Sequence, residues 1–172
     1  MMPLKIDIGA TGADTSRGMA SGVAAAVGIH WASLSPVPTD TDIGIGVFGA
    51  LLGAPKDPTM MSNDNGVAYG GFYLEGAHTL SRNNWGRTWA SARGEYVGSS
   101  AFGETKGGFG ASARLSAELY ASGVGIEPRG LFLGTYAIGV YAEAGVRDMV
   151  ADVGDFHVTA GLTFRTPLVI AP

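Results

Sequence analysis

The stretch Phe156-His-Val-Thr-Ala-Gly-Leu-Thr-Phe164 alternates between apolar and polar side chains along its whole length. A β-strand sends successive side chains to opposite faces, so this period of two predicts a strand with one apolar and one polar surface. The apolar face would carry Phe156, Val158, Ala160, Leu162 and Phe164, and the polar face His157, Thr159, Gly161, Thr163 and Arg165. The alternation does not say which of the two faces meets water.

Similar alternation recurs along the chain between clusters of Gly, Pro, Asn and Asp, which are typical of turns. The eight predicted strands cover residues 4–11, 22–33, 42–51, 67–78, 88–97, 109–121, 131–147 and 156–164. No segment shows the period of a helix. Consecutive strands joined by short connections predict an antiparallel meander, and eight strands close naturally into an up-and-down barrel. The fold class is therefore all-β, with residues 1–172 as a single domain.

Composition limits the classes of function. Charged residues make up only 15% of the chain, well below the roughly 25% of an average soluble domain. The net charge of −4 gives no electrostatic footprint for nucleic acid. The absence of cysteine excludes disulfides, thiolate metal sites and cysteine nucleophiles. Residues 18–39 lack charge but contain Pro36 and Pro38, so no transmembrane helix is predicted there.

The charges on the predicted polar faces favour a closed polar interior. Five basic residues (Lys5, Arg93, Arg114, Arg147, Arg165) balance five acidic ones (Asp7, Glu75, Glu95, Glu118, Glu143). An enclosed face needs such a balance, because an unpaired buried charge costs several kcal/mol. Arginine also outnumbers lysine four to one on this face, and arginine is the better partner in buried ion pairs. With the polar face inside, the apolar face would meet lipid.

Strand length and aromatic placement agree with a membrane barrel. Most predicted strands are long enough for a membrane strand, which needs about 9–11 residues tilted near 45°. Aromatic residues lie near strand ends, as in the girdles of such barrels: Trp31, Trp85, Tyr96, Phe109, Phe132, Phe156 and Phe164. Aromatic residues that fill the ends of a soluble core would give the same pattern.

The chain resembles the small eight-stranded outer-membrane β-barrels of the OmpA, OmpX and OmpW kind, by architecture along nearly its whole length. The resemblance implies an inner network of arginine and glutamate, to which Arg93, Glu95, Arg114, Glu118, Glu143 and Arg147 would correspond. Arg165 is expected to face inward with them. Such barrels usually end at an aromatic residue, whereas this chain continues past Phe164. The longer connections, after strands one, three and five, would share one side if the N-terminus faces the periplasm. The longest, 52–66, would by this resemblance be an extracellular loop.

Residues 1–8 contain no basic segment followed by an apolar one, so no signal peptide is visible. This agrees with a mature exported chain from which the signal peptide has been removed. It agrees equally with a protein that is never exported.

No pattern indicates catalysis, a metal or a cofactor. The histidines His30, His78 and His157 lie on three different strands, and each is expected on the polar face instead of in a metal site. His157 and Thr159 share a face, but no serine or acidic residue completes a nucleophilic pair with them.

The leading hypothesis is a bacterial outer-membrane β-barrel with a plugged, salt-bridged interior. It would act as a structural protein that presents surface loops, with the lipid bilayer as its surroundings. A surface partner, or passage of a small apolar solute, remains open. The alternative is a soluble β-barrel or sandwich that binds a small apolar ligand.

Overall fold

The computed structural model describes residues 2–15, 17–30, 40–56, 66–121, 136–149 and 153–168. Within these residues eight strands form one closed barrel in the order β1 to β8. The strands are β1 Met2–Thr15, β2 Ala20–His30, β3 Thr41–Gly53, β4 Gly66–Arg82, β5 Gly86–Ala101, β6 Glu104–Tyr120, β7 Ala137–Arg147 and β8 Val153–Leu168.

Each strand pairs antiparallel with the next, and β1 pairs with β8 to close the ring. The predicted fold class, an eight-stranded antiparallel up-and-down barrel, is therefore confirmed. The described residues contain no helix that is long and apolar enough to cross a membrane.

The observed strand bounds differ from the predicted ones mainly at the ends. β6 begins at Glu104 instead of residue 109, because Thr105, Lys106 and Gly107 pair with β5 although they carry no apolar signal. β7 begins at Ala137 instead of residue 131. Residues 31–33 and 131–135, which were predicted as strand, lie outside the described residues.

The prediction for the connections is wrong. Residues 121–136, between β6 and β7, form a longer connection than residues 54–65, between β3 and β4. The connection after β5 consists only of Phe102 and Gly103, because β5 and β6 form a tight hairpin. Long connections therefore lie at both ends of the barrel. We call the end that holds the start of β1 and the finish of β8 the terminal end, and the opposite one the hairpin end.

The two strand faces point as the charge balance predicts. The charged side chains of β1, β4, β5, β6 and β7 within the barrel wall face inward and are buried. Most of the large apolar side chains in the barrel wall face outward and are about half exposed, from Phe164 at 40% to Phe109 at 73%. A soluble barrel would have the reverse arrangement.

Candidate functional site

The barrel interior holds a network of ion pairs with Arg93 of β5 at its centre. The Arg93 guanidinium donates to Glu75 of β4 and to Asp7 of β1, each at 3.0 Å. Its third nitrogen lies 3.1 Å from Glu143 of β7. One arginine therefore joins carboxylates from three strands across the lumen.

Asp7 is also held by Arg114 of β6, which binds both carboxylate oxygens at 2.5 and 2.9 Å. The remaining Arg114 nitrogen donates to Ser116 at 3.0 Å. Lys5 donates to both oxygens of Glu75, at 2.8 and 3.0 Å. Such paired geometry is what buried charges need to offset their desolvation.

Two smaller clusters lie on either side of this centre. Toward the hairpin end, Arg147 binds Glu95 through two nitrogens, at 2.6 and 3.1 Å. Toward the terminal end, Glu118 accepts from Arg165 at 2.7 Å and from Arg87 at 3.1 Å. Glu118 thus bridges two arginines from β5 and β8.

The structure places all seven residues that were proposed from the sequence inside the barrel. They belong to the central network and to the two smaller clusters on either side of it. Arg93, Arg114 and Glu143 lie at the centre, Glu95 and Arg147 toward the hairpin end, and Glu118 and Arg165 toward the terminal end.

Lys5, Asp7 and Glu75 belong to the centre but were counted only as polar-face charges. Arg87 also points inward and was missed. Asp42, which the alternation of strand three places on the polar face, is buried as well but was left out of the charge balance. Among the described residues the lumen then holds six basic side chains, Lys5, Arg87, Arg93, Arg114, Arg147 and Arg165, and six acidic ones, Asp7, Asp42, Glu75, Glu95, Glu118 and Glu143.

Aromatic rings cover the faces of the guanidinium groups. Arg114 lies 3.7 Å from the centroid of the Tyr141 ring, and Arg93 lies 4.3 Å from that of Tyr73. A cation over an aromatic face is attracted by the ring quadrupole. These tyrosines of the polar faces therefore belong to the network.

Glycines on neighbouring strands make room for these rings. A methyl group at Gly46 would lie 2.6 Å from the Tyr73 ring, and one at Gly28 would also collide with Tyr73. A methyl group at Gly145 would lie 2.7 Å from the His157 ring. Glycine inside a strand commonly marks such a close approach.

Two of the three histidines are interior, as expected from the sequence. His30 lies with Nδ1 3.2 Å from Asp42, and His157 lies with Nε2 3.6 Å from Glu143. The expectation for His78 is wrong, because its side chain is exposed on the outer face of β4. The position follows from strand parity, since His78 shares the face of Phe72 and Leu74.

Among the described residues, the interior around His157 shows ion pairing and hydroxyl hydrogen bonds. The Thr159 hydroxyl donates to Thr11 at 2.8 Å and so is engaged away from the imidazole. Within the described part of the chain no group of three His, Cys, Asp or Glu side chains could hold a metal ion. A cavity beside Asp7 and Arg147 measures about 20 Å³, room for roughly one water molecule.

At the hairpin end the lumen changes from charged to apolar. We call the buried apolar residues there the apolar plug. It comprises Ala13, Ala20, Ala50, Leu52, Ala54, Val67, Tyr69, Val97, Ala101 and Met149. The inward side chains of β5 show the transition, since charged Glu95 is followed by Val97, Ser99 and Ala101.

The outer surface carries an apolar belt edged by aromatic residues. Phe72, Tyr96 and Phe109 are neighbours in the register of β4, β5 and β6, toward the hairpin end. Trp85 and Phe164 lie toward the terminal end and are exposed at 62% and 40%. Trp31 and Phe132, which were also expected in such girdles, lie outside the described residues.

Neither a protein-family model nor a curated protein matches the sequence. Among solved structures, Neisserial surface protein A (NspA) superposes with a TM-score of 0.60 and covers 97% of each chain, at 10% sequence identity. The fold is that of a small outer-membrane β-barrel. NspA is itself an eight-stranded outer-membrane barrel, so the resemblance expected from the sequence is confirmed for the fold. At 10% identity, the likeness to NspA concerns the fold alone.

Proposed function

We propose that this chain is an outer-membrane β-barrel that anchors itself in the bilayer through its apolar belt and presents its connections to solvent. The observation that carries the proposal is that the polar strand faces point inward and the apolar faces outward, which is the reverse of a soluble barrel. Charged side chains fill the lumen, while residues such as Phe72 and Leu115, exposed at 66% and 59%, face outward. Only a surrounding apolar medium makes that distribution favourable.

The height of the apolar belt supports insertion. From Trp85, which directly precedes β5, to Tyr96, the chain rises roughly 25 Å at about 3.3 Å per residue and a tilt near 45°. Outer-membrane barrels have an apolar band of about 25 Å flanked by aromatic residues. The fold of NspA, which this chain shares, is compatible with the same location.

We further propose that the interior is closed and does not conduct. Eight strands leave a lumen just wide enough for side chains, and here ion pairs and the apolar plug occupy it. The cavity of about 20 Å³ beside Asp7 is far smaller than a solute pocket, which needs about 300 Å³ or more. From the ion pairs and the apolar plug inside the barrel, we propose that no apolar solute passes along the lumen and that the connections are the parts available to a partner.

A refolding experiment distinguishes a membrane barrel from a soluble protein. We expect the unfolded chain to fold only in the presence of detergent or lipid and then to migrate on a denaturing gel at a position that changes after boiling. The same refolded sample should give no channel conductance in a planar bilayer. A folded monomer that remains in solution without detergent would contradict membrane insertion, and a steady open channel would contradict the closed interior.

A further inference from the structure

The hairpin end carries a strained aromatic residue that packs against the apolar plug. Phe102 is the first residue of the two-residue turn between β5 and β6, and its φ is 53°, followed by Gly103 at 87°. Asn or Gly normally occupies the first position of such a turn, because both central residues need positive φ. A bulky residue in this conformation is a backbone outlier, and such outliers cluster at ligand clamps and switch regions.

The Phe102 ring has two kinds of partner. It packs against the apolar plug, whose members Val97 and Ala13 are fully buried. It also receives the guanidinium of Arg17, 3.7 Å from the ring centroid. Arg17 belongs to the turn between β1 and β2, where Thr15 and Gly18 bond each other through their backbones at 2.9 and 3.1 Å.

The contact between Arg17 and Phe102 spans the barrel mouth. In the strand order the hairpins β1–β2 and β5–β6 stand opposite each other, with two strands between them on either side. The other two hairpins of this end add Ala54 and Met149 to the plug. Described residues of these two connections therefore also line the plug.

We propose that the apolar plug is a hydrophobic gate, with Phe102 as its lid and Arg17 as the latch that holds the lid closed. Apolar constrictions exclude water and so block polar solutes without any steric seal. The gate would separate the charged lumen from the solvent at the hairpin end. This inference goes beyond anchoring, and it can be tested on the refolded barrel in detergent micelles.

Because the chain lacks cysteine, a single introduced thiol reports on access. Val97→Cys places the reporter in the plug, where Val97 is fully buried, and Ser100→Cys places a control thiol at an exposed position on the same strand. The measurement is the rate of modification by a charged, water-soluble methanethiosulfonate. With the lid closed, we expect the Val97→Cys thiol to react at least about tenfold more slowly than the Ser100→Cys thiol.

Phe102→Asn opens the lid without straining the turn, because asparagine tolerates positive φ. We expect this change to raise the modification rate of the Val97→Cys thiol by about tenfold or more, since the ring that holds the plug closed is lost. Arg17→Gln should raise it by a smaller factor, and Phe102→Tyr, which keeps a ring, should leave it slow. The rate for Ser100→Cys should stay the same in every background.

Two results would contradict the proposal that the apolar plug is a gate. One is rapid modification of Val97→Cys in the unaltered background, and the other is an unchanged rate after Phe102→Asn. Should Phe102→Asn fail to refold, Arg17→Gln decides alone, and an unchanged rate in that variant also rejects the latch.

Discussion

At the scale of single residues, the removal of one partner from a buried ion pair is expected to cause a large loss in the free energy of unfolding. Arg114 is 2% exposed and binds both oxygens of Asp7. Arg114→Ala leaves Asp7 with fewer cationic partners in the buried interior and should lower the free energy of unfolding by about 3–5 kcal/mol. Urea titration of the barrel in lipid vesicles measures this loss.

The matched control is Lys106→Ala at the rim, where Lys106 pairs with Asp148 and the two side chains are 45% and 60% exposed. Its cost should stay under about 1 kcal/mol, because solvent screens an exposed pair. Equal, small losses for both variants would mean that the interior is hydrated and not closed.

Strand parity alone was enough to place the seven proposed network residues inside the barrel. It could not find Arg87, because the alternation of strand five begins only at residue 88, whereas β5 begins at Gly86. Nor could it pair the residues, since partners such as Asp7 and Arg114 meet only after the ring has closed. The aromatic covers of Tyr73 and Tyr141 were invisible for the same reason.

At the scale of the strand, glycine positions are fixed by rings on the next strand. Gly46→Ala places a methyl group against Tyr73 and the neighbouring backbone, so we expect a loss of about 1–3 kcal/mol, as in other overpacked sites. Gly94→Ala is the control, because nothing lies within 4 Å of the added methyl group. Its effect should be near zero or slightly stabilising. Similar effects of the two changes, by urea titration, would show that the Tyr73 ring does not depend on Gly46.

Alternation predicted the existence and faces of the strands better than their ends. Pairing with a neighbouring strand extends β6 through Thr105 and Gly107, which have no apolar pattern of their own. The same effect shortens the connection after β5 to two residues, so the expected order of connection lengths was wrong. Strand ends depend on the partner strand, and a single sequence does not specify that partner's register.

At the scale of the whole molecule, the apolar belt should tolerate charge only near its edges. Leu115 lies on the outward face of β6 within the belt and is 59% exposed. Leu115→Arg should destabilise the inserted barrel by about 2–4 kcal/mol, the cost of arginine near the bilayer midplane. Ser100→Arg, at an exposed position beyond Tyr96 on β5, should cost about 0–1 kcal/mol. Folding titrations in vesicles compare them, and equal costs would place Leu115 outside the bilayer.

The network also constrains how the chain folds. Asp7 and Arg114 are separated by 107 positions in the sequence, and Lys5 reaches Glu75 across 70. The first strand of the chain therefore carries charges that find their partners only when strands from its middle are already in place. A partly assembled sheet would expose these charges to hydrocarbon, where each unsatisfied group is costly. Ring closure and membrane insertion are thus expected to be a single concerted step, slow because of its high contact order.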